Sequence, residues 1–281
     1  YLIPVVMLMP GTFGFASSPS TVFFSLLGGA ILSFCFGALT FWRLTRFHSS
    51  QFEESSPREL FAGAPNLMAL SVTTMYLQNV DILLVSHFLE KTQVALYVAA
   101  SRTAMAISLG FIAVGGILAP HFASAFAATD RKRLADLLSG GVHWCICLGF
   151  VTAVILMVLS QPILSALGFG HGSDTTVLAT LVIGQFVHSA FGPLLVFVAM
   201  TQSEMYGARV LVTMALVATV LYFVGIENLG LIGAAMANVL TIIIWKVSVS
   251  ATVWRSLSGK APYLRVAGGG LLLMLTWIAM Q

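Results

Sequence analysis

The chain has 281 residues and a net charge of +3, and 58% of its residues are hydrophobic while only 8% are charged. Its mean hydropathy is +0.97. Soluble domains carry about 25% charged residues, so this chain could not cover a folded surface with polar groups, which excludes a soluble globular protein. A helix needs about 20 apolar residues to cross a bilayer, and the length allows roughly eight to ten crossings. The sequence therefore predicts an all-α polytopic membrane protein.

The polar residues exclude several further classes of protein. Basic residues lie mostly at the ends of apolar runs, where membrane orientation explains them, so no nucleic-acid partner is predicted. Apolar segments contain all three cysteines (Cys35, Cys145 and Cys147), so we predict no disulfide framework, metal site or cofactor. The chain has no HExxH, GxSxG or GxxxxGK(S/T) motif, and its outward connections are too short for a catalytic domain. It is not expected to be an enzyme.

Apolar runs indicate where the chain crosses the membrane. Runs of spanning length lie at 20–42, 61–89, 94–118, 140–160, 175–200, 210–225 and 229–252, with partial runs at 1–10 and 266–281. These runs are continuous and lack the alternation of a membrane β-barrel, so helices are predicted. Pro65 and Pro193 lie within runs and predict kinked or broken helices.

The basic residues predict the orientation of these helices. Ten of the 13 Lys and Arg residues lie in alternate connections, whereas the opposite connections carry Lys91 alone. Basic loops face the cytoplasm, so four connections are predicted to be cytoplasmic and the protein to lie in the inner membrane. These connections are 43–60, 119–139, 201–209 and 254–265. The second is further predicted to form a short amphipathic helix on the inner surface.

Two opposite charges lie inside the predicted spans. Asp81 and Arg102 are equally distant from a turn centred between Lys91 and Thr92, which places both at the same depth, roughly 12 Å from the outer helix ends. Because an ion inside a membrane needs a partner, we predict an Asp81–Arg102 ion pair. The pair either clips the hairpin together or lets Arg102 contact an anionic substrate. Gln78 lies three positions before Asp81 and is predicted to line the same polar strip.

Other polar residues within the spans have two interpretations each. Lys246 either reaches the headgroups, which its distance from the inner end of its span favours, or is a second basic contact for substrate. His188, with Gln185 one turn earlier, is either a proton relay or, as we favour, a neutral side chain bonded to a neighbouring helix. Asn238 and Thr241 lie three positions apart on one helix face, and both are predicted to form hydrogen bonds between helices.

Small residues crowd one stretch of the chain. Residues 230–237 contain two glycines and three alanines, which predicts close approach of a neighbouring backbone.

Two segments resemble a known family. FAGAPNLMALSVTTMYLQNVDILLVSHFLEKTQVALYVAASR (61–102) resembles the opening hairpin of the second bundle in polysaccharide flippases. NLGLIGAAMANVL (228–240) is similar to the start of their twelfth helix, and the basic patch at 131–133 also fits. These flippases are a branch of the multidrug/oligosaccharidyl-lipid/polysaccharide exporter superfamily. The eleventh-helix segment (210–224) lacks the Asn common at that place in the family.

The resemblance implies a fold of two six-helix bundles. Residues 1–42 would be the last helices of the first bundle, 43–60 a cytoplasmic linker and 61–253 the complete second bundle. Residues 254–281 would form a cytoplasmic turn and the start of an additional transmembrane helix. Since the chain begins at Tyr1 rather than Met, we expect it to be the C-terminal part of a longer protein.

The resemblance also implies a function. The protein would flip undecaprenyl-diphosphate-linked oligosaccharide across the inner membrane by alternating access, for polysaccharide biosynthesis, with membrane lipids around it and H⁺ or Na⁺ as a coupling ion. Arg102 lies at the basic position of the family's hairpin and is the first candidate for substrate binding, before Gln78 and Lys246. The alternatives are an ion-coupled multidrug exporter of the same fold, an envelope polymerase or glycosyltransferase, and a scaffold that transports nothing.

Overall fold

A computed structural model describes residues 27–29, 31–39, 57–170, 175–201 and 204–256. The chain divides into two compact units, residues 1–65 and 66–281. In the first unit, the described residues between 27 and 39 are helical and form α1. The rest of the predicted 20–42 span, most of the linker and everything after 256 lie outside the described residues.

Helices make up nearly all of the described chain. After α1 they are α2 (Pro57–Phe88), α3 (Lys91–Ala104), a 3₁₀ turn (Met105–Ile107), α4 (Ser108–Ala127), α5 (Arg131–Val158), α6 (Ser160–Ala166), α7 (Thr176–Ala190), α8 (Gly192–Thr201) and α9 (Glu204–Ser256). The described ranges contain no strand, which agrees with the predicted all-α class.

Several helical stretches are long and apolar enough to cross a membrane. Among the described residues these are Lys91–Ala127, Arg131–Val158 and Arg209–Val253, and α7 with α8 makes a fourth if the bent pair is one span. They indicate a multi-pass membrane protein. The six-helix bundle predicted over 61–253 stays a prediction.

The helix break predicted at Pro193 is confirmed. α7 and α8 meet at Phe191 with a bend of 41°. Pro193 is the second residue of α8, where the missing N–H costs nothing because the first N–H groups of a helix have no partner within it. The proline therefore ends one helix and starts the next.

α9 reverses direction at Gly230. This residue has φ 57° and ψ −132°, a conformation that L side chains rarely adopt. The Nδ2 of Asn238 donates a hydrogen bond of 2.9 Å to the hydroxyl of Tyr222, 16 positions earlier. In a straight helix these residues would lie about 24 Å apart. The two arms of α9 are therefore packed against each other, and the predicted hydrogen bond of Asn238 between helical segments is confirmed. The same prediction was wrong for Thr241, whose hydroxyl donates a 2.8 Å hydrogen bond to the Ala237 carbonyl of its own helix.

The two arms of α9 touch through small residues. A Cβ placed on Gly225 would lie 2.6 Å from the carbonyl oxygen of Gly233, and a Cβ on Gly233 would meet the carbonyl oxygen of Gly225. The predicted close backbone approach in 230–237 is thus confirmed, and its partner is the preceding arm of the same chain.

The prediction of a surface helix over 119–139 was wrong. α4 continues through Pro120 to Ala127, and α5 begins at Arg131, so only residues 128–130 connect two long helices. A proline inside a helix costs about 3 kcal/mol. Packing beyond it offsets this cost, because the buried Phe122 ring meets Phe197 of α8 edge-on at 5.7 Å between centroids.

The core of the second unit is built around α7. This helix contacts α3, α4, α5 and α9. Its buried side chains include Val177, Leu178, Leu181, Val182 and Phe186. Polar residues of the neighbouring helices that face α7 are therefore withdrawn from the surface of the protein.

Candidate functional site

Asp81 is held by a tyrosine rather than by an arginine. Its side chain is 6% exposed. Oδ1 accepts a 2.8 Å hydrogen bond from the backbone N–H of Ile82, and Oδ2 accepts a 3.3 Å hydrogen bond from the Tyr97 hydroxyl. The α2–α3 hairpin is therefore closed at this level by Asp81 and Tyr97.

Arg102 does not form the predicted ion pair with Asp81. Its side chain is exposed, and Nη1 contacts the Met105 sulfur at 3.5 Å. Across the part of the chain that the structure describes, no ion pair joins the two residues. The Arg102 charge acts on Asp81 only at longer range.

The position of the turn explains this correction. α2 ends at Phe88 and α3 begins at Lys91, so the turn is centred about two residues before the place that we predicted. Tyr97 then lies across from Asp81. Arg102 follows Tyr97 by five positions, which rotates it about 140° around the helix axis. Burial of Tyr97 therefore turns Arg102 outward.

Two more residues extend the polar contacts of Asp81. The Tyr222 hydroxyl lies beside Tyr97 and accepts the hydrogen bond from Asn238. We call Asp81, Tyr97, Tyr222 and Asn238 the tyrosine cluster. The sequence reasoning missed both tyrosines. The sequence offered one signal, the equal spacing of polar residues around each turn. Asp81 and Tyr97 lie eight positions either side of Leu89, and Tyr222 and Asn238 lie eight positions either side of Gly230.

Gln78 lies three positions before Asp81 on α2. It is exposed, whereas Asp81 one turn later is buried. No hydrogen bond joins the two side chains in the described chain. Gln78 is therefore accessible from outside the core. Its side chain points about 60° away from that of Asp81 around the helix axis.

Lys246 is buried, which makes the favoured prediction that it reaches the headgroups wrong. Its side chain is 2% exposed, and Nζ has no hydrogen-bond partner among the described residues. The ammonium lies 5.3 Å from the centroid of the Trp245 ring. It acts electrostatically on Cys145 of α5 and His188 of α7, so neighbouring helices enclose it. The position of Lys246 near the end of its span suggested that the ammonium would be accessible. The side chain is buried because it lies on the side of the helix that faces α5 and α7.

His188 packs through its ring. Its centroid lies 6.0 Å from that of Phe111 on α4 and 6.0 Å from that of Trp245 on α9. Gln185 does not continue toward it, because Gln185 Oε1 accepts a 3.1 Å hydrogen bond from Ser108. The described contacts thus hold no His188–Gln185 relay, and His188 has ring contacts where we expected a hydrogen bond to a neighbouring helix.

Three buried polar atoms lack a hydrogen-bond partner within the described ranges. They are the Oγ of Ser189, the Oδ1 of Asn238 and the Nζ of Lys246. Buried polar groups are satisfied in the great majority of cases, so each of these three atoms has spare capacity to bind water or a polar ligand. We call Lys246, Trp245 and His188 the lysine cluster.

The cysteines point to different environments. Cys145 is buried and Cys147 is exposed, where its sulfur lies 3.7 Å from Nε2 of His143. Residues two positions apart on a helix point about 200° away from each other, which accounts for the difference.

Chemically, the arrangement offers the exposed cation Arg102 and two buried polar clusters within apolar helices. Comparison of the chain with protein-family models, with curated proteins and with solved structures finds no match.

Proposed function

We propose that the chain belongs to a membrane transporter that flips undecaprenyl-diphosphate-linked oligosaccharide across the inner membrane. The observation that carries this proposal is the exposed Arg102, a permanent cation in the apolar stretch Lys91–Ala127 with no carboxylate partner among the described residues. If Arg102 only held the hairpin together, its guanidinium would form an ion pair with Asp81. Arg102 instead leaves its guanidinium available to an anionic ligand.

The depth of Arg102 supports an aqueous path. It lies 11 positions after Lys91, about 16 Å along the helix. An arginine near the centre of a helix in hydrocarbon costs about 2.5–3.5 kcal/mol on insertion scales, and such residues face a bundle interior or a water-filled cavity. A guanidinium there matches the geometry of a diphosphate, while the polyprenyl tail stays in the bilayer. Gln78, exposed on the neighbouring helix, is an uncharged donor for the same substrate.

An interrupted helix supports movement. The break between α7 and α8 is the kind of discontinuity that transporters use for alternating access. In this proposal 61–253 is the second of two six-helix bundles and 43–60 is the cytoplasmic linker. The lysine cluster would serve the same transport cycle, with Lys246 as the second basic contact.

The test is reconstitution of the full-length protein in proteoliposomes loaded with lipid-linked oligosaccharide. Transfer between leaflets is followed by glycosidase accessibility. We expect Arg102→Ala to abolish or sharply reduce transfer and Arg102→Lys to keep part of it. Lys91→Ala, which removes a basic residue at the end of the same helix, is the matched control. Full transfer by Arg102→Ala would overturn the substrate role.

An ion-coupled multidrug exporter is a second candidate. Asp81 favours it, because this carboxylate is buried and free of an ion pair in the described structure. Such a carboxylate can bind H⁺ or Na⁺. In the test, an ion gradient drives efflux of a cationic dye, and the wild type is compared with Asp81→Asn. Efflux by the wild type alone, with no transfer of oligosaccharide, would show that the protein is an exporter.

A further inference from the structure

A groove between α4 and α5 lies apart from both polar clusters. Its volume is about 590 Å³. The apolar lining includes Ile117, Leu118, Leu137 and Trp144. Ile117 is 67% exposed and Trp144 is 63% exposed, so the groove opens sideways. In a membrane-spanning helix pair this side faces lipid.

The end of the groove carries charged and polar groups. Arg133 and Asp136 lie in the first two turns of α5, and His121 lies opposite on α4. All three side chains are exposed. No ion pair joins Arg133 to Asp136 in the described structure, although only three positions separate them. A cation and a carboxylate therefore stand at the mouth with their charges available to a ligand.

The size of the groove fits a lipid chain. Trp144 follows Arg133 by 11 positions, about 16 Å along α5. Arg133 lies at the end of the helix and Trp144 well inside the apolar stretch. A ligand that covers both must have a polar headgroup and a long apolar tail.

We propose that this groove binds phosphatidylethanolamine. Its phosphate would lie on Arg133, its primary ammonium would donate to the Asp136 carboxylate, and one acyl chain would lie along Ile117 and Trp144. Charge complementarity carries this choice. A headgroup with negative charge alone would meet repulsion from Asp136, and a choline headgroup has no N–H to donate. The proposal needs only a membrane and does not depend on transport.

The experiment measures which lipids stay bound to the full-length protein. The protein is purified from nanodiscs of phosphatidylethanolamine, phosphatidylglycerol or phosphatidylcholine, and retained lipid is counted by native mass spectrometry. We expect the wild type to retain phosphatidylethanolamine at least several-fold over the other two. Arg133→Gln should reduce retention of all three, and Asp136→Asn should lower retention of phosphatidylethanolamine to that of phosphatidylcholine. Lys132→Gln, which removes a neighbouring charge outside the groove lining, is the matched control.

A second measurement detects contact between the acyl chain and Trp144. In a variant whose only tryptophan is Trp144, phosphatidylethanolamine with brominated chains should quench the fluorescence more strongly than brominated phosphatidylcholine. Asp136→Asn should remove this difference. Equal retention of all lipids by the wild type would overturn the proposal. So would an increase in bound phosphatidylglycerol in Asp136→Asn without loss of phosphatidylethanolamine, because that result describes a site for anionic lipid.

Discussion

Asn238 donates a 2.9 Å hydrogen bond to the hydroxyl of Tyr222, and the two residues lie eight positions either side of Gly230. Asp81 and Tyr97 repeat this arrangement around Leu89, with 3.3 Å between the Tyr97 hydroxyl and Oδ2. Each helical hairpin thus places a polar residue against a tyrosine at equal distance from its turn. The two tyrosines lie beside each other, so the hairpins are joined through the tyrosine cluster.

Replacement of Gly230 by alanine should destabilise the protein. The backbone at φ 57° and ψ −132° strains a residue with a Cβ, at a cost of about 1–3 kcal/mol. The free energy of unfolding is measured by titration from mild detergent into sodium dodecyl sulfate. Gly116→Ala is the control, because a Cβ there meets open space within a helix, and it should be neutral or stabilising by about 0.5–1 kcal/mol. Equal effects of the two variants would contradict the positive-φ backbone conformation of Gly230.

Tyr97→Phe should weaken the α2–α3 hairpin more than a change at Arg102 does. The phenylalanine leaves the buried Asp81 carboxylate without its side-chain donor, which costs about 1–3 kcal/mol. Arg102→Met removes an exposed side chain that has no ion pair in the described structure, so its effect should stay within about 0.5 kcal/mol. Both unfolding free energies are measured in one detergent. A larger loss of unfolding free energy in Arg102→Met than in Tyr97→Phe would show that Arg102, and not Tyr97, holds the hairpin together.

Lys246→Met should stabilise the protein and impair transport. A buried ammonium without a hydrogen-bond partner among the described residues pays a desolvation penalty, and apolar replacement of buried charges is often neutral or stabilising by about 1–4 kcal/mol. Its role as a second basic contact predicts slower oligosaccharide transfer in the same variant. A loss of stability above about 1 kcal/mol would mean that the ammonium makes a stabilising contact. Unchanged transfer would remove Lys246 from the substrate path.

The sequence predicted features that depend on local chemistry. Apolar runs located the helices, Pro193 marked the break between α7 and α8, and small residues marked the close contact of the α9 arms. These signals succeed because backbone geometry and hydrophobicity act within a few residues.

Features that depend on neighbouring helices were not predictable in this way. An error of about two residues in the turn moved the partner of Asp81 from Tyr97 to Arg102. Packing of Phe122 on Phe197 carried α4 through Pro120. The burial of Lys246 follows from helices α5 and α7, which lie far from it in sequence.

The most direct test of the central claim is the rate of oligosaccharide transfer by Arg102→Ala, divided by that of the wild type at equal amounts of folded protein. The proposed diphosphate contact predicts a loss of at least tenfold, about 1.4 kcal/mol, with partial recovery in Arg102→Lys and none of the loss in Lys91→Ala. Transfer by Arg102→Ala at the wild-type rate would contradict the proposal that this exposed cation binds the substrate.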